Sequence, residues 1–308
     1  MKRRYLALAV ACIPAVSYAS VQPPENIFPS GPDASLSFGW AGGEAREYVY
    51  DTTSGKKISQ LNWKIKSAYI LKAGLSWDVQ DWITLNAGGW TTLASGSGVM
   101  NDYDWLDDNR SGWSDWSHHP DTRLNWANEL DLNVKGWLIR QDNYRAGLMT
   151  GWQQTRFSWT ASGGSFDHNN HSRTGDYLPG KVVDYSQKFT MPYVGIVGQY
   201  RYHDIEFNGQ VKFSNRVSVE ANDEHYTRGM TFRDGTGNSR YVSASVDVGY
   251  YMTPGLRIFT DFTYSVFGEG KGGTKITYAD KSHEYIGGNA SGTENKNYMI
   301  TAGLSYRF

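Results

Sequence analysis

Residues 126–138 read WANELDLNVKGWL. Trp126, Asn128, Leu130, Leu132, Val134, Gly136 and Leu138 share one parity, and Ala127, Glu129, Asp131, Asn133, Lys135 and Trp137 share the other. A period of two puts the first set on one side of an extended chain and the second on the opposite side. The stretch is therefore a strand with one apolar and one polar face. Ile205–Phe213 repeats the pattern, with Ile205, Phe207, Gly209, Val211 and Phe213 against Glu206, Asn208, Gln210 and Lys212. So does Tyr241–Val248, with Val242, Ala244, Val246 and Val248 against Tyr241, Ser243, Ser245 and Asp247. No stretch carries a convincing helical period.

Strand-like stretches run about ten residues or more, with aromatics near their ends, which is long for a soluble sandwich. The expected fold is all-β: a transmembrane antiparallel β-barrel, apolar toward lipid and polar toward the lumen. Only a closed barrel lets β-structure cross lipid without unpaired edges. Turn-rich links fall near Asp78–Asp81, Gln141–Asn143, His203–Asp204 and Thr253–Gly255. Long stretches rich in Gly, Asp, Asn and Ser alternate with them, near 47–57, 95–122, 160–184, 215–238 and 267–296. Short turns on one side and long extracellular loops on the other predict ten strands, an even number as such barrels require. A lumen that narrow is filled by side chains, which disfavours a diffusion pore.

Composition agrees. The 308 residues include 34 Gly, 12 Trp, 21 Tyr, 12 Phe and a single Cys, with mean hydropathy −0.56. The aromatics are too many for a disordered chain. The longest apolar stretch, Tyr5–Val16, is too short for a membrane helix, which needs roughly 18 apolar residues or more. A formal charge of −1 implies no nucleic-acid partner. Lys2, Arg3 and Arg4, the apolar run and Ser17-Tyr18-Ala19 come in the order of a secretory signal peptide, so residues 1–19 are expected to be removed. That leaves 20–308 as a single barrel with net charge −4. Cys12 goes with the signal, and Ala9-Val10-Ala11 before it is a poor lipidation signal, so no thiol, disulfide or Cys-based metal site is expected in the exported chain.

Three signatures of catalysis are missing. There is no GxSxG elbow, no Walker loop and no HExxH, since Gly287 stands where His283-Glu284 would need a second histidine. Two acidic clusters remain. Asn101-Asp102-Tyr103-Asp104-Trp105 sets two carboxylates at i and i+2, on the same side of a strand. Two such carboxylates repel, and one tends to keep a proton. Asn222-Asp223-Glu224-His225-Tyr226 sets an acid beside an imidazole at the same spacing, which fixes the tautomer and strengthens the base. If the two clusters face each other across a barrel mouth, they hold a water between them. That is a general-base hydrolase with no covalent nucleophile. Solvated loop acids, or a metal site using His118 and His119, would leave the same residues.

The motifs NDYDW at 101–105, NDEHY at 222–226, SHHPDT at 117–122, ANELDLNVKGWL at 127–138 and QLNWKIK at 60–66 resemble the omptin family of outer-membrane endoproteases. The resemblance runs along nearly the whole mature chain. NSRY at 238–241 and EGKGGT at 269–274 place it nearer the plasminogen-activator-like branch. The last strand, Tyr298, Ile300, Ala302, Leu304, Tyr306 and Phe308, also resembles the terminal strand of bacterial outer-membrane proteins.

The resemblance implies a peptidase of the Gram-negative outer membrane with its active site facing outward. It cleaves cationic peptides and host proteins and needs no metal or cofactor. In the implied roles, His225 is the general base and Asp223 orients it. Asp102 positions the attacking water, and Asp104 helps stabilise the tetrahedral intermediate. Glu47 matches an acid of the P1 pocket, Asp115 an acid of the primed side, and His119 a groove histidine. Arg156 and Lys188 match basic positions that bind lipopolysaccharide, the expected activator; Trp152 and Gln154 replace a Tyr and a Glu there. One departure bears on specificity. The family's second P1 acid, two residues before the dyad acid, is Ala221 here, and Glu220 points the other way. Weaker P1 selectivity is the expected consequence. A non-enzymatic adhesin or invasin built on the same loops is the alternative function.

Overall fold

The computed structural model describes residues 31–308; the signal peptide expected at residues 1–19 lies outside them. Among the described residues there is no helix. The strands are β1 (Pro32–Tyr50), β2 (Lys57–Gln80), β3 (Ile83–Thr92), β4 (Gly96–Asp104), β5 (Asp115–Arg140), β6 (Tyr144–Ser162), β7 (Ser165–His168), β8 (Arg173–Asp176), β9 (Lys181–Tyr202), β10 (Ile205–His225), β11 (Met230–Tyr251), β12 (Leu256–Thr277) and β13 (His283–Arg307). All pair antiparallel. β1 pairs with β2 on one edge and with β13 on the other, from Asp33↔Arg307 to Val49↔Ser291, which closes the sheet into a cylinder. β3 and β4 are two pieces of one wall strand, because both run between β2 and β5. β7 and β8 form a small hairpin attached to β5. The cylinder therefore has ten wall strands, as the alternation and turns predict.

The faces are inverted relative to a soluble protein. Leu130, Leu132 and Val134 of the deciding stretch lie on the outside at 40–49 % exposure, while Asp131 and Trp137 are buried within. Phe207, Val211, Phe213, Val246 and Val248 also point outward. Each such residue turned to lipid rather than water recovers the stabilisation of apolar burial. Higher up the same strands the outward face changes. On β10 the apolar run ends at Phe213, and Arg216, Ser218, Glu220, Asn222 and Glu224 follow it, all exposed. On β2 the outward Tyr69 and Leu75 give way to Lys66 and Lys64. Those switches mark the edge of the apolar band.

The wall stands well above that band. β5 has 26 residues, β13 has 25 and β2 has 24. A strand needs only about 9–11 residues to span lipid. Much of what the composition reads as loop is consequently paired strand. The connections on the tall side shrink to residues 51–56, 105–114, 163–180, 226–229 and 278–282, with the hairpin in the third. The physical reason is that polar sequence is as compatible with a strand wetted on its outer face as with a loop. Gly, Asp and Asn report where lipid ends, not where pairing ends.

Inside the upper barrel lies an aromatic core. Trp63 of β2, Trp159 of β6 and Tyr185 of β9 stack with ring centroids 5.1 and 5.8 Å from Tyr185. All three are essentially fully buried. They form the floor on which the acidic residues sit. The lower interior is polar: Lys212 pairs with Asp131, Lys72 with Asp261 at 2.7 Å, and Arg145 with Asp78 at 3.3 Å. Such pairs close the lumen with side chains.

Candidate active site

Asp102 and Asp104 end β4, and Asp223 and His225 end β10, at the tall side of the cylinder. In the ring order these strands stand on opposite walls: β5, β6 and β9 separate them one way, and β2, β1, β13, β12 and β11 the other. The alternation that buries Val217, Val219 and Ala221 continues to Asp223 and His225, so both dyad residues point inward. Their charges reach across the mouth, since Asp102 and His225 each shift the other's proton affinity. The four residues are thus brought together above the aromatic floor.

On the β10 wall, His225 Nε2 lies 2.6 Å from Asp223 Oδ2. The imidazole meets Phe232 edge-on at 5.4 Å. Burial works against the imidazolium, but the charge and hydrogen bond of Asp223 outweigh it and hold the histidine above its ordinary value. With Nε2 committed to Asp223, Nδ1 is the nitrogen left to take a proton.

On the β4 wall, burial and the neighbouring Asp104 push Asp102 up to about 8. Burial also raises Asp104, against the opposing effects of Ser59 and the exposed Arg228. Ser59 Oγ donates to Asp102 Oδ1 at 3.4 Å. At neutral pH this pair retains a proton, so it can donate to one oxygen while accepting from another.

Glu47 of β1 lies in the same interior at 3 % exposure. Burial raises it well above the carboxylate range, helped by the charges of Asp223, Asp234 and Asp102. Its carboxyl is hydrogen-bonded to Asp223. No other group bonds Glu47 Oε2 or Asp223 Oδ1, both buried. His119 is walled in at 1 % exposure, with Nδ1 at 2.5 Å from the Gly163 carbonyl and its ring against Tyr177 at 5.0 Å. Burial lowers its pKa. It faces inward one rung below Ser117, the cross-strand partner of Asp102. Asp115 lies opposite Asp104, but its oxygens are already engaged by Ser114 Oγ at 2.7 Å and the Asn169 amide at 3.1 Å. It ties β5 to the hairpin loop. His118 turns away to Asn101 at 2.8 Å, and among the described residues no three His, Cys, Asp or Glu side chains are arranged to hold a metal ion.

Arg156 and Lys188 are directly paired across β6 and β9 on the outer face, and Lys188 forms an ion pair of 3.0 Å with Glu220 on β10. Glu220 is thus on the outside, as alternation requires. Arg156 Nε has no partner.

Three contributors escape the sequence reading: Ser59, Tyr185 and Asp234. Ser59 is β2's partner of Asp104, and Tyr185 is β9's partner of Asp223. Asp234 on β11 is the partner of Ala221. Register alone would have found them, and register inside a stretch taken for loop is invisible.

The omptin family model matches residues 30–308. The chain belongs to the omptin family. The plasminogen activator of Yersinia pestis is 52% identical over 94% of this chain and 94% of its own. The outer membrane protease OmpP of Escherichia coli is 40% identical over the whole of both chains. The crystal structure of the outer membrane protease OmpT from E. coli superposes with a TM-score of 0.88 at 40% identity, covering 91% of this chain and 97% of that one. This omptin is accordingly an outer-membrane β-barrel of a protease family.

Proposed function

We propose that this omptin is an endopeptidase that hydrolyses peptide bonds beside Arg or Lys, with its groove on the extracellular side. The observation that supports this best is the pairing of the Asp223–His225 dyad, 2.6 Å apart, with the Asp102–Asp104 pair on the facing wall. A water between the walls gives a proton to His225 Nδ1 and attacks the scissile carbonyl. The proton held on the Asp102–Asp104 pair hydrogen-bonds the developing oxyanion. His225 then passes its proton to the leaving amine, and the products are a carboxylate and a free amine. Asp223 holds the imidazole and balances its charge, and Glu47 supports Asp223 from below. His119 and Asp115 shape the wall around this centre.

The acids of the groove attract cationic peptides and host proteins. On the outer face, Arg156 and Lys188 offer neighbouring cations to the phosphates of lipopolysaccharide, which would have to displace Glu220 from Lys188. Lipopolysaccharide is therefore the expected activator, acting through the paired wall strands β6, β9 and β10, the last of which carries the dyad.

The test is cleavage of a fluorogenic basic peptide by refolded protein, with and without lipopolysaccharide, beside His225→Ala. The reading expects cleavage that persists in excess EDTA and disappears in the variant. Activity lost to EDTA, or retained in folded His225→Ala, would refute it. A folded barrel that binds host surfaces and cuts nothing would favour the adhesin alternative.

A further inference from the structure

The substitution that leaves Ala221 in front of the dyad does not leave the groove short of an acid. Ala221 on β10 is the direct cross-strand partner of Asp234 on β11, and both side chains point inward. Directly opposed residues on one face of an antiparallel pair have their Cβ atoms about 5 Å apart. The methyl group of Ala221 therefore leaves its space to the carboxylate next to it. Asp234 is 7 % exposed and forms no ion pair among the described residues. Its carboxylate shares the interior with those of Glu47 and Asp223.

The surroundings supply hydroxyls and no cation. Thr293 is the partner of Glu47 across β1 and β13, and Thr236 stands one rung below Asp234 on the same face. Both are buried, at 0 % and 4 % exposure, and neither hydroxyl oxygen has a partner. The hydroxyls of Thr274 and Ser291 lie beside Asp234. A buried polar atom without a partner is costly. Unpartnered hydroxyls around acids that have no cation are satisfied together by a ligand that brings a charge and many donors. A guanidinium brings five N–H groups in a planar fork; an ammonium brings three from one point.

We propose that Asp234 is the charged acid that receives the P1 side chain, and that the pocket it forms with Glu47, Thr236 and Thr293 takes a guanidinium in preference to an ammonium. This deepens the endopeptidase reading and rests on it. It predicts stronger P1 selectivity than Ala221 alone would suggest, because an acid stands one strand over. Burial pushes the empty Asp234 up to about 7, so Arg recognition should weaken as pH falls below neutral.

The experiment compares kcat/KM for matched peptides carrying Arg, Lys or citrulline at P1, cleaved by wild type, Asp234→Asn and the double variant Ala221→Asp/Asp234→Ala. Citrulline keeps the shape of Arg without its charge. The wild-type Arg:citrulline ratio should exceed about thirtyfold, and Asp234→Asn should lower it at least about tenfold, mostly through KM. The double variant should restore at least half of the loss on a logarithmic scale. Arg should exceed Lys in wild type. A ratio within twofold of wild type in Asp234→Asn overturns the inference while leaving the protease reading intact. If neither variant folds, a wild-type ratio below tenfold overturns it. A wild type that cleaves none of the peptides overturns both.

Discussion

Asp131 and Glu47 are acids buried inside the same cylinder, and their surroundings differ. Asp131, in the lipid-spanning half, is held by Lys212 and by Tyr193 Oη at 2.7 Å. Glu47, in the half above the lipid, meets Asp223, Asp234 and Asp102 instead. No lysine or arginine forms an ion pair with Glu47, Asp102, Asp104, Asp223 or Asp234 among the described residues. The nearest influence is the exposed Arg228, whose charge reaches Asp102, Asp104 and His225. The lower interior brings its counter-ions with it and is a plug. The groove brings no such counter-ions, and under the proposed function its acids hold protons until a cationic side chain arrives.

Removing the base should have the largest consequence for this contrast. His225→Ala is expected to lower kcat by roughly 10³-fold while the barrel still folds, because the residue touches no lower ion pair. Stopped assays on folded protein check it, and a loss under tenfold would break the assignment of His225.

Breaking a counter-ion pair below should act on stability instead. Lys212→Met leaves Asp131 buried without its cation, at a cost of about 3–5 kcal/mol. Lys212→Met/Asp131→Leu should recover most of it. Urea unfolding of both variants in detergent measures this, and equal stability of the single and double variants would contradict the plug description.

An effect of intermediate size is expected at the outer face. Arg156→Ala/Lys188→Ala should raise the lipopolysaccharide concentration needed for half-maximal cleavage by about tenfold or more. An unchanged titration curve would remove these two residues from the site.

The smallest effect separates the two acid types by pH. A carboxyl whose folded pKa is raised favours folding fully below its unfolded value, near 4, and loses that contribution as pH rises through the folded value. Asp102, at about 8, should therefore destabilise the barrel most at alkaline pH. Asp102→Asn should raise the melting temperature at pH 8.5 and change it less at pH 5. A variant less stable at both would mean that Asp102 is compensated after all.

How much of this is legible before coordinates follows from the same division. Between lipid and lumen, alternation is strong, because a one-residue slip would put Asp131 against lipid. Trp126–Leu138 thus fixed its own orientation, and the turns at 78–81 and 253–255 fell where pairing ends. Above the lipid both faces of a strand can be polar. The stretch Thr231–Thr236 reads as loop, yet it is paired on both sides. That concealed Asp234, the cross-strand partner of Ala221. The clusters at 101–105 and 222–226 were legible because i, i+2 spacing needs no partner strand. Their convergence required the ring to be closed.

The most direct measurement of the central claim is calorimetric titration of His225→Ala with an Arg-containing peptide and its citrulline counterpart, in two buffers of different ionisation enthalpy at pH 7. Acids kept protonated for want of a cation must release protons when one binds. The account predicts release of roughly half to one proton for the Arg peptide and essentially none for citrulline. Binding of the Arg peptide with the same heat in both buffers would show that the groove acids were already ionised, and would contradict it.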